Sequence, residues 1–192
     1  MLDTIKLKIP HLDKLTDQEF FQFCQDHRDL KIERTHNYEI ILISPTSYET
    51  GRIENEIQWQ LTNWNKASKL GEVLSPSTGF SLPDGSVFSP DVAWVSRQRD
   101  HKLSPNERNT FPHLCPDFVI ELRSKSDGVG ILKEKMNRWI LNGCKLGFLI
   151  DPFSHTSWIF RSNGEVEQVD GFDKALSGGE ILPGFSLDLN SL

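Results

Sequence analysis

The chain has 192 residues, of which 37% are hydrophobic and 25% charged, and its formal net charge is -6. This length fits one ordinary domain, and the composition excludes disordered and membrane-embedded proteins. No apolar run reaches the roughly 18 residues that a membrane span needs, and the charged N-terminus is unlike a secretory signal. The negative net charge argues against a broad electropositive surface for nucleic acid, but it does not exclude a local basic groove.

The spacing of the cysteines and the motifs that are absent exclude further classes of protein. Cys24, Cys115 and Cys144 lie far apart and show no CxxC spacing, which argues against a zinc cluster and a disulfide framework. We therefore expect a reducing, cytoplasmic location. The lack of a Gly-rich phosphate loop and of GxSxG excludes NTPases and serine hydrolases.

The N-terminal part of the chain predicts one helix and one strand. A capping box at 16–19 (TDQE) precedes an aromatic run and predicts a helix over about 16–27. The stretch NYEIILISP predicts a strand over 37–45. We assign residues 1–35 to an N-terminal helical appendage and residues 36–192 to a single domain.

A second helix and several short strands are predicted next. The helix covers about 50–68 and has Gly71 as its stop. Its apolar residues recur at helical spacing: Ile53, Ile57, Leu61 and Trp64. Strand signals broken by turn residues follow in GEVLSP, GFSL, VFSP and DVAWVS.

The C-terminal half predicts an alternation of strands and one helix. A polar stretch over 97–113 predicts an exposed loop, and PDFVIELR a buried strand. GILKEKMNRWILNG predicts a helix closed by Gly143, and KLGFLID a central strand. SWIFRSNGEVEQV predicts a hairpin that turns at 162–164, and GGEILPGFSLDL a last edge segment. The order indicates a mixed α/β sheet with helices on both sides.

Charged residues interrupt the strand that should lie in the middle of the sheet. Alternation along PDFVIELRSKSD places Asp117, Glu121 and Arg123 on one face. A buried carboxylate is costly unless a cation or hydrogen bonds compensate it. Asp91, directly after Pro90 at the start of another predicted strand, is a second carboxylate. If the two strands are neighbours, Asp91 and Glu121 converge.

Two converging carboxylates would form a site for a hard cation. They repel each other, which raises their pKa values unless a cation lies between them. Magnesium takes one or two carboxylates, keeps several waters, polarises phosphate and activates water. Arg123 would face the phosphate from the same strand face. Such an arrangement is what a phosphodiester hydrolase requires.

Each of these residues also has a simpler interpretation. Asp91 can cap a turn where its strand begins, and Glu121 with Arg123 can form an exposed ion pair of little energetic worth. Asp117 follows a proline as well and is a rival first carboxylate. Its simpler role is to satisfy backbone donors at the start of its strand.

Six segments in order resemble one protein family: GRIENEIQWQL, FSPDVAWVS, PDFVIELRSKSD, KEKMNRWILNG, GFLIDP and ILPGF. Over about residues 38–188 they are similar to the Uma-type family of restriction endonuclease-like proteins, within the PD-(D/E)XK nuclease superfamily. The resemblance implies an α/β fold with a restriction endonuclease-like mixed β-sheet flanked by helices. It also implies Mg²⁺ or Mn²⁺ held by Asp91 and Glu121, DNA as partner, a homodimer, and no membrane association.

The resemblance suggests further site residues, and one position departs from it. The superfamily usually has lysine where this chain has Arg123, and arginine cannot lose its proton to act as a base. Lys125 is a candidate to replace that amine. Relatives often carry an acidic residue on the first core helix, where Glu54 and Glu56 compete. Helical geometry puts Glu54 nearer the sheet.

On the later helix, Lys135 and Trp139 match the lysine and aromatic pair of the family. Lys135 is a candidate to meet the phosphate or to orient a carboxylate.

Two hypotheses about function follow. The first is a divalent-metal-dependent endonuclease that hydrolyses DNA phosphodiester bonds. Its expected catalytic residues are Asp91, Glu121, Arg123, Lys135 and Glu54. The second is a catalytically degenerate nuclease-fold domain that acts as a nucleic-acid-binding or regulatory module. The arginine at position 123 and the negative net charge favour this second hypothesis.

Overall fold

The computed structural model describes the backbone of residues 5–7 and all of residues 15–192. The helices are α1 (Asp17–Asp26), α2 (Tyr48–Ser68), α3 (Arg97–Asp100), α4 (Pro105–Arg108) and α5 (Val129–Leu141), and a 3-10 helix covers Leu189–Ser191. The first strands are β1 (Ile5–Leu7), β2 (Lys31–Arg34), β3 (Ile40–Ile43), β4 (Gly71–Leu74), β5 (Phe80–Ser81), β6 (Val87–Phe88) and β7 (Val92–Ser96). The later strands are β8 (Phe118–Leu122), β9 (Leu146–Asp151), β10 (Thr156–Arg161), β11 (Val166–Asp170), β12 (Ala175–Ser177) and β13 (Ser186–Asp188).

Two sheets and a hairpin organise the described chain. The larger sheet has the strand order β11-β10-β9-β8-β7-β4. Its β8 and β9 run parallel, with α5 as the crossover, while β7 and β8 run antiparallel. The smaller sheet has the order β1-β3-β2-β6-β5, and β12 pairs with β13. This mixed sheet, flanked by helices, confirms the predicted α/β class.

Strand β8 lies inside the larger sheet, and its alternate residues face two different layers. Phe118, Ile120 and Leu122 pack in the core on the α2 side, whereas Val119 packs with residues of α5 on the other side. Helix α2 contributes buried residues at the predicted spacing: Ile53, Ile57 and Leu61. The alternation of β8 is therefore confirmed, and it directs Glu121 towards α5.

Helix α2 is confirmed and ends at Ser68, as predicted, but Gly71 is not the residue that stops it. The helix begins after Ser47, whose hydroxyl accepts a hydrogen bond from the Thr50 N–H at 3.3 Å. Its C-cap residue is Lys69, which adopts the left-handed conformation with φ 57°. Gly71 is instead the first residue of β4 and is needed for close approach. A Cβ there would lie 2.1 Å from the Val95 carbonyl oxygen.

Helix α5 lies close against the larger sheet because β9 has a glycine beneath it. A Cβ on Gly147 would lie 2.3 Å from the terminal methyl group of Met136 and 3.5 Å from Val119 Cγ2. Met136 and Trp139 of α5 are fully buried. Gly143 follows the helix with φ 107°, as expected for the residue that closes it.

The N-terminal part contains the predicted helix and two strands that were not predicted, β1 and β2. In α1, Thr16 Oγ1 accepts from the Glu19 N–H at 3.3 Å, and Glu19 accepts from the Thr16 N–H at 2.8 Å. Strand β2 pairs with both β3 and β6. The proposed boundary between residues 35 and 36 thus falls between two paired strands. Residues 1–4 and 8–14 of the proposed appendage lie outside the described residues.

Three predictions for the second half can be compared with the structure. The polar stretch 97–113 contains the short helices α3 and α4. The β10–β11 hairpin turns as predicted, with Gly164 at φ 85°. The last segment, predicted as an edge segment, contains β13, which pairs with β12 in a two-stranded sheet, and its Leu187 is fully buried.

Neither a membrane span nor a disulfide is found in the described part of the chain. Within residues 5–7 and 15–192, no helix combines the length and apolar character needed to cross a bilayer. The three cysteines have free thiols.

Candidate active site

The carboxylates of Asp91 and Glu121 come from neighbouring strands. Asp91 directly precedes β7, and Glu121 lies in β8. The two strands pair with Val92 opposite Ile120. Asp91 Oδ2 accepts a hydrogen bond from the Leu122 N–H at 2.8 Å, which fixes its side chain at the end of β8. The neighbouring strands expected from the sequence therefore exist, and they bring these two residues together.

Glu121 is buried and held by two residues of α5. Its side chain is 4% exposed. Trp139 Nε1 donates to Glu121 Oε1 at 2.8 Å, and Lys135 Nζ lies 3.1 Å from Oε1 and 3.2 Å from Oε2. Lys135 and Trp139 are one helical turn apart, so both side chains reach the same carboxylate. The predicted pair on the later helix thus meets the predicted acidic residue.

Glu33 is a site residue that sequence reasoning missed. It lies in β2 of the smaller sheet, and its side chain is 4% exposed. Its Oε1 accepts from the Ser89 N–H at 2.8 Å and from Lys135 Nζ at 3.1 Å. The signal in the sequence is weak. The strand KIER has four residues, and only Ile32 marks its apolar face.

Glu54 and Lys31 complete the charged surroundings of Asp91. Burial raises the pKa of Glu54, and the negative charge of Asp91 raises it further, while Lys31 lowers it. Burial also raises the pKa of Asp91, against the effects of Lys31 and Lys135. Glu56, the rival of Glu54, accepts a hydrogen bond from Gln60 at 3.2 Å. The structure therefore couples Glu54 to Asp91 through their charges, and its catalytic role stays a prediction.

The ionisation of Glu121 and Lys135 reflects their mutual contact. Burial raises the pKa of Glu121 to about 7, with Asp91 and Glu33 adding to the effect and Lys135 opposing it. Burial lowers the pKa of Lys135, but the carboxylates of Glu121, Glu33 and Asp91 outweigh it and hold that pKa above its ordinary value. Lys135 is therefore a permanent cation among acids whose protonation responds to their surroundings.

A pH-dependent stability follows from the raised pKa of Glu121. We expect the unfolding free energy of the wild type, relative to that of Glu121→Gln, to fall as pH rises from about 4.5 to about 7. Neutral Glu121 stabilises the folded chain fully below the unfolded pKa, and this contribution is lost as pH passes the folded pKa. Asp91 is present in both proteins, so the difference reports the titration of Glu121 together with its effect on its charged neighbours. Urea unfolding at a series of pH values would measure it, and a difference that rises with pH would contradict it.

Arg123 lies beyond the end of β8 and has other partners. Its Nη1 is 3.0 Å from Asp151 Oδ2, and its Nε donates to the Asp127 carbonyl oxygen at 2.9 Å. The guanidinium carbon is 5.5 Å from the centre of the Phe153 ring. The predicted contact of Arg123 with phosphate stays a prediction, and it would have to compete with the Asp151 ion pair.

Asp117 and Lys125, the rival carboxylate and the candidate replacement amine, lie outside this cluster. Asp117 is fully buried at the opposite end of β8. It accepts from the Ser96 N–H at 2.9 Å and pairs with Lys145 at 2.8 Å and Arg99 at 3.3 Å. These are the backbone and ionic partners of a structural carboxylate. Lys125 is exposed in the turn before α5, so the alternation of β8 does not extend to it.

The charges around the cluster fit a divalent cation. The interacting carboxylates are Glu33, Glu54, Asp91 and Glu121, and the interacting ammonium groups are Lys31 and Lys135. When all are ionised, four negative and two positive charges leave two negative charges. No three or more His, Cys, Asp or Glu side chains in the described residues are placed to enclose a metal ion. Magnesium needs no such enclosure, because it commonly uses one or two carboxylates with waters and substrate phosphate.

The fold, together with two carboxylates at adjacent strand ends and a lysine beside them, defines a restriction endonuclease-like protein. A solved structure with this fold is described as "a putative nuclease belonging to DUF820 from Anabaena variabilis ATCC 29413". It matches with a TM-score of 0.70 and 19% identity, over 83% of this chain and 88% of that chain. At this identity the likeness shows the nuclease-like fold.

The family follows from the sequence match. The model of the family Uma2, described as "Putative restriction endonuclease", matches residues 17–190. The chain therefore belongs to this family, which confirms the resemblance. No protein among the curated sequences matches.

Proposed function

We propose that this protein is a divalent-metal-dependent endonuclease that hydrolyses DNA phosphodiester bonds. The observation that carries the proposal is the placement of Asp91 and Glu121 on neighbouring strands, with Lys135 Nζ 3.1 Å from Glu121 Oε1 and its positive charge acting on Asp91. Family membership and the nuclease-like fold support it. A homodimer and a cytoplasmic location stay predictions.

Asp91 and Glu121 would hold Mg²⁺ or Mn²⁺, which polarises the phosphate and lowers the pKa of a bound water. In hydrolysis, water attacks phosphorus in line and the bond to the leaving oxygen breaks. Lys135 cannot act as a base because it stays protonated, so it stabilises negative charge on the phosphate. Half-buried Glu54, with its raised pKa, orients the attacking water.

The second candidate function is that of a nuclease-fold domain that binds nucleic acid without cleaving it. One observation favours it. The residue at the usual lysine position, Arg123, is engaged by Asp151 and by the Asp127 carbonyl. Lys135 reaches Glu121 from α5, however, and so supplies the cation that position 123 does not. This contact is why we prefer the enzyme.

Calorimetric titration of Mn²⁺ tests the proposal without knowledge of the DNA sequence that is cut. We expect the wild type to bind, and Asp91→Ala and Glu121→Ala each to lose at least roughly tenfold in affinity, as one ligand of a two-carboxylate site is removed. Glu56→Ala is the control. It removes a carboxylate of α2 that accepts a hydrogen bond from Gln60 and is not part of the proposed metal site. Binding by both alanine variants at wild-type affinity would refute the assignment. Binding without cleavage of single- or double-stranded DNA would favour the non-cleaving domain.

A further inference from the structure

We propose that Glu33 is a positioning residue that sets Lys135 and the segment before Asp91 at a fixed separation. The inference rests on the proposed function, since it names a residue that serves the same site. Glu33 comes from the smaller sheet, whereas Asp91 and Glu121 come from the larger one. Glu33 thereby connects the smaller sheet to α5 and to the segment between β6 and β7, next to the proposed site.

One oxygen of Glu33 makes both connections. Oε1 accepts from Lys135 Nζ at 3.1 Å and from the Ser89 N–H at 2.8 Å. Ser89 is two positions before Asp91, and Pro90 between them stiffens the link. A shift of the Glu33 carboxylate would therefore move the lysine and the Asp91 segment together.

Lys135 is shared between two carboxylates. Its ammonium lies 3.1 Å from Glu33 Oε1 and 3.1 Å from Glu121 Oε1, and its side chain is 17% exposed. Without the charge of Glu33, the ammonium would move towards Glu121 and away from the place where a phosphate could meet it. Such a shift changes the rate of the chemical step more than the binding of DNA.

Glu33→Gln tests this positioning. The amide oxygen of glutamine can still accept from the Ser89 N–H, so the fold is retained while the charge is lost. We expect kcat for DNA cleavage to fall about 10- to 100-fold, the usual cost of losing a residue that orients a direct participant, with KM nearly unchanged. Glu33→Asp, which keeps the charge on a shorter side chain, should recover part of the rate.

A spectroscopic measurement reads the position of Lys135 directly. In protein labelled with ¹⁵N-lysine, the Lys135 ammonium signal can be assigned by its absence in Lys135→Met. Its hydrogen bonds to Glu33 and Glu121 should slow proton exchange and make it visible. We expect Glu33→Gln to shift or remove this signal, and this measurement does not depend on any nuclease activity.

Asp117→Asn is the matched control. Asp117 directly precedes a strand, is fully buried, accepts a hydrogen bond from a backbone N–H and pairs with a lysine. Its substitution should lower stability but leave kcat and the Lys135 signal unchanged. The inference is overturned if Glu33→Gln leaves both unchanged, or if Asp117→Asn reproduces the effect. If the wild type cleaves no DNA, the proposed function fails, and the Lys135 signal alone decides the positioning role of Glu33.

Discussion

In the variant Asp91→Asn, DNA cleavage is expected to slow by about a thousandfold or more. Asparagine keeps an oxygen that can accept the 2.8 Å hydrogen bond from the Leu122 N–H, but it loses the charge that would hold a divalent cation. A loss of about 4 kcal/mol in transition-state stabilisation corresponds to this factor. Single-turnover cleavage of plasmid DNA at saturating Mg²⁺ would measure it, with the melting temperature as a check on folding.

The control for this prediction is Asp84→Asn. Asp84 also accepts from a backbone N–H, that of Ser86 at 3.0 Å, but it lies in the turn before β6. We expect Asp84→Asn to cleave at nearly the wild-type rate. Cleavage by Asp91→Asn at that same rate would show that Asp91 does not take part in the chemistry.

The second large effect concerns stability. Lys135→Met is expected to lower the free energy of unfolding by about 3–5 kcal/mol at pH 8, because it leaves Glu33 and Glu121 buried without their cation. The loss should be smaller at pH 5. There Glu121, whose pKa is raised by burial, takes up a proton and no longer needs a cation. Urea unfolding of the wild type and the variant at both pH values would measure this difference.

Lys133→Met provides the control on the same helix. The Lys133 ammonium lies 4.1 Å from the centre of the Trp158 ring and is part of no buried ion pair in the described structure. Its replacement should cost about 1 kcal/mol or less. An equal loss for Lys135→Met at both pH values would mean that cavity formation, rather than unpaired charge, explains its effect.

The sequence predicted the parts of the site that depend on local periodicity. Alternation along β8 predicted that Glu121 lies on the other face of the strand from Phe118 and Ile120. The hydrogen bond that Glu121 accepts from Trp139 of α5 confirms this prediction. Helical spacing in α2 placed Glu54 nearer the sheet than Glu56, and the charge interaction with Asp91 agrees. In both cases a short segment contains all the information, because the period of the backbone decides which side chains share a face.

Other parts depended on distant pairing and could not be predicted in the same way. Glu33 reaches the site only because β2 pairs with β3 and β6, and four residues give too little periodicity to show a strand. Arg123 was expected on the face of Glu121, but β8 ends at Leu122 and the guanidinium meets Asp151. The residue at which a strand ends depends on pairing with neighbouring strands. The alternation of side chains between two faces therefore predicts nothing about residues beyond that end.

Gly147 in β9 affects the contact between Lys135 and Glu121. Met136 follows Lys135 directly, and its terminal methyl occupies the space that a side chain at Gly147 would need. The depth at which α5 sits on the sheet therefore depends on a residue that bears no functional group. A side chain at position 147 would have to displace the flexible end of Met136, the residue next to Lys135. The position of Lys135 relative to Glu121 thus depends partly on the absence of a side chain at Gly147.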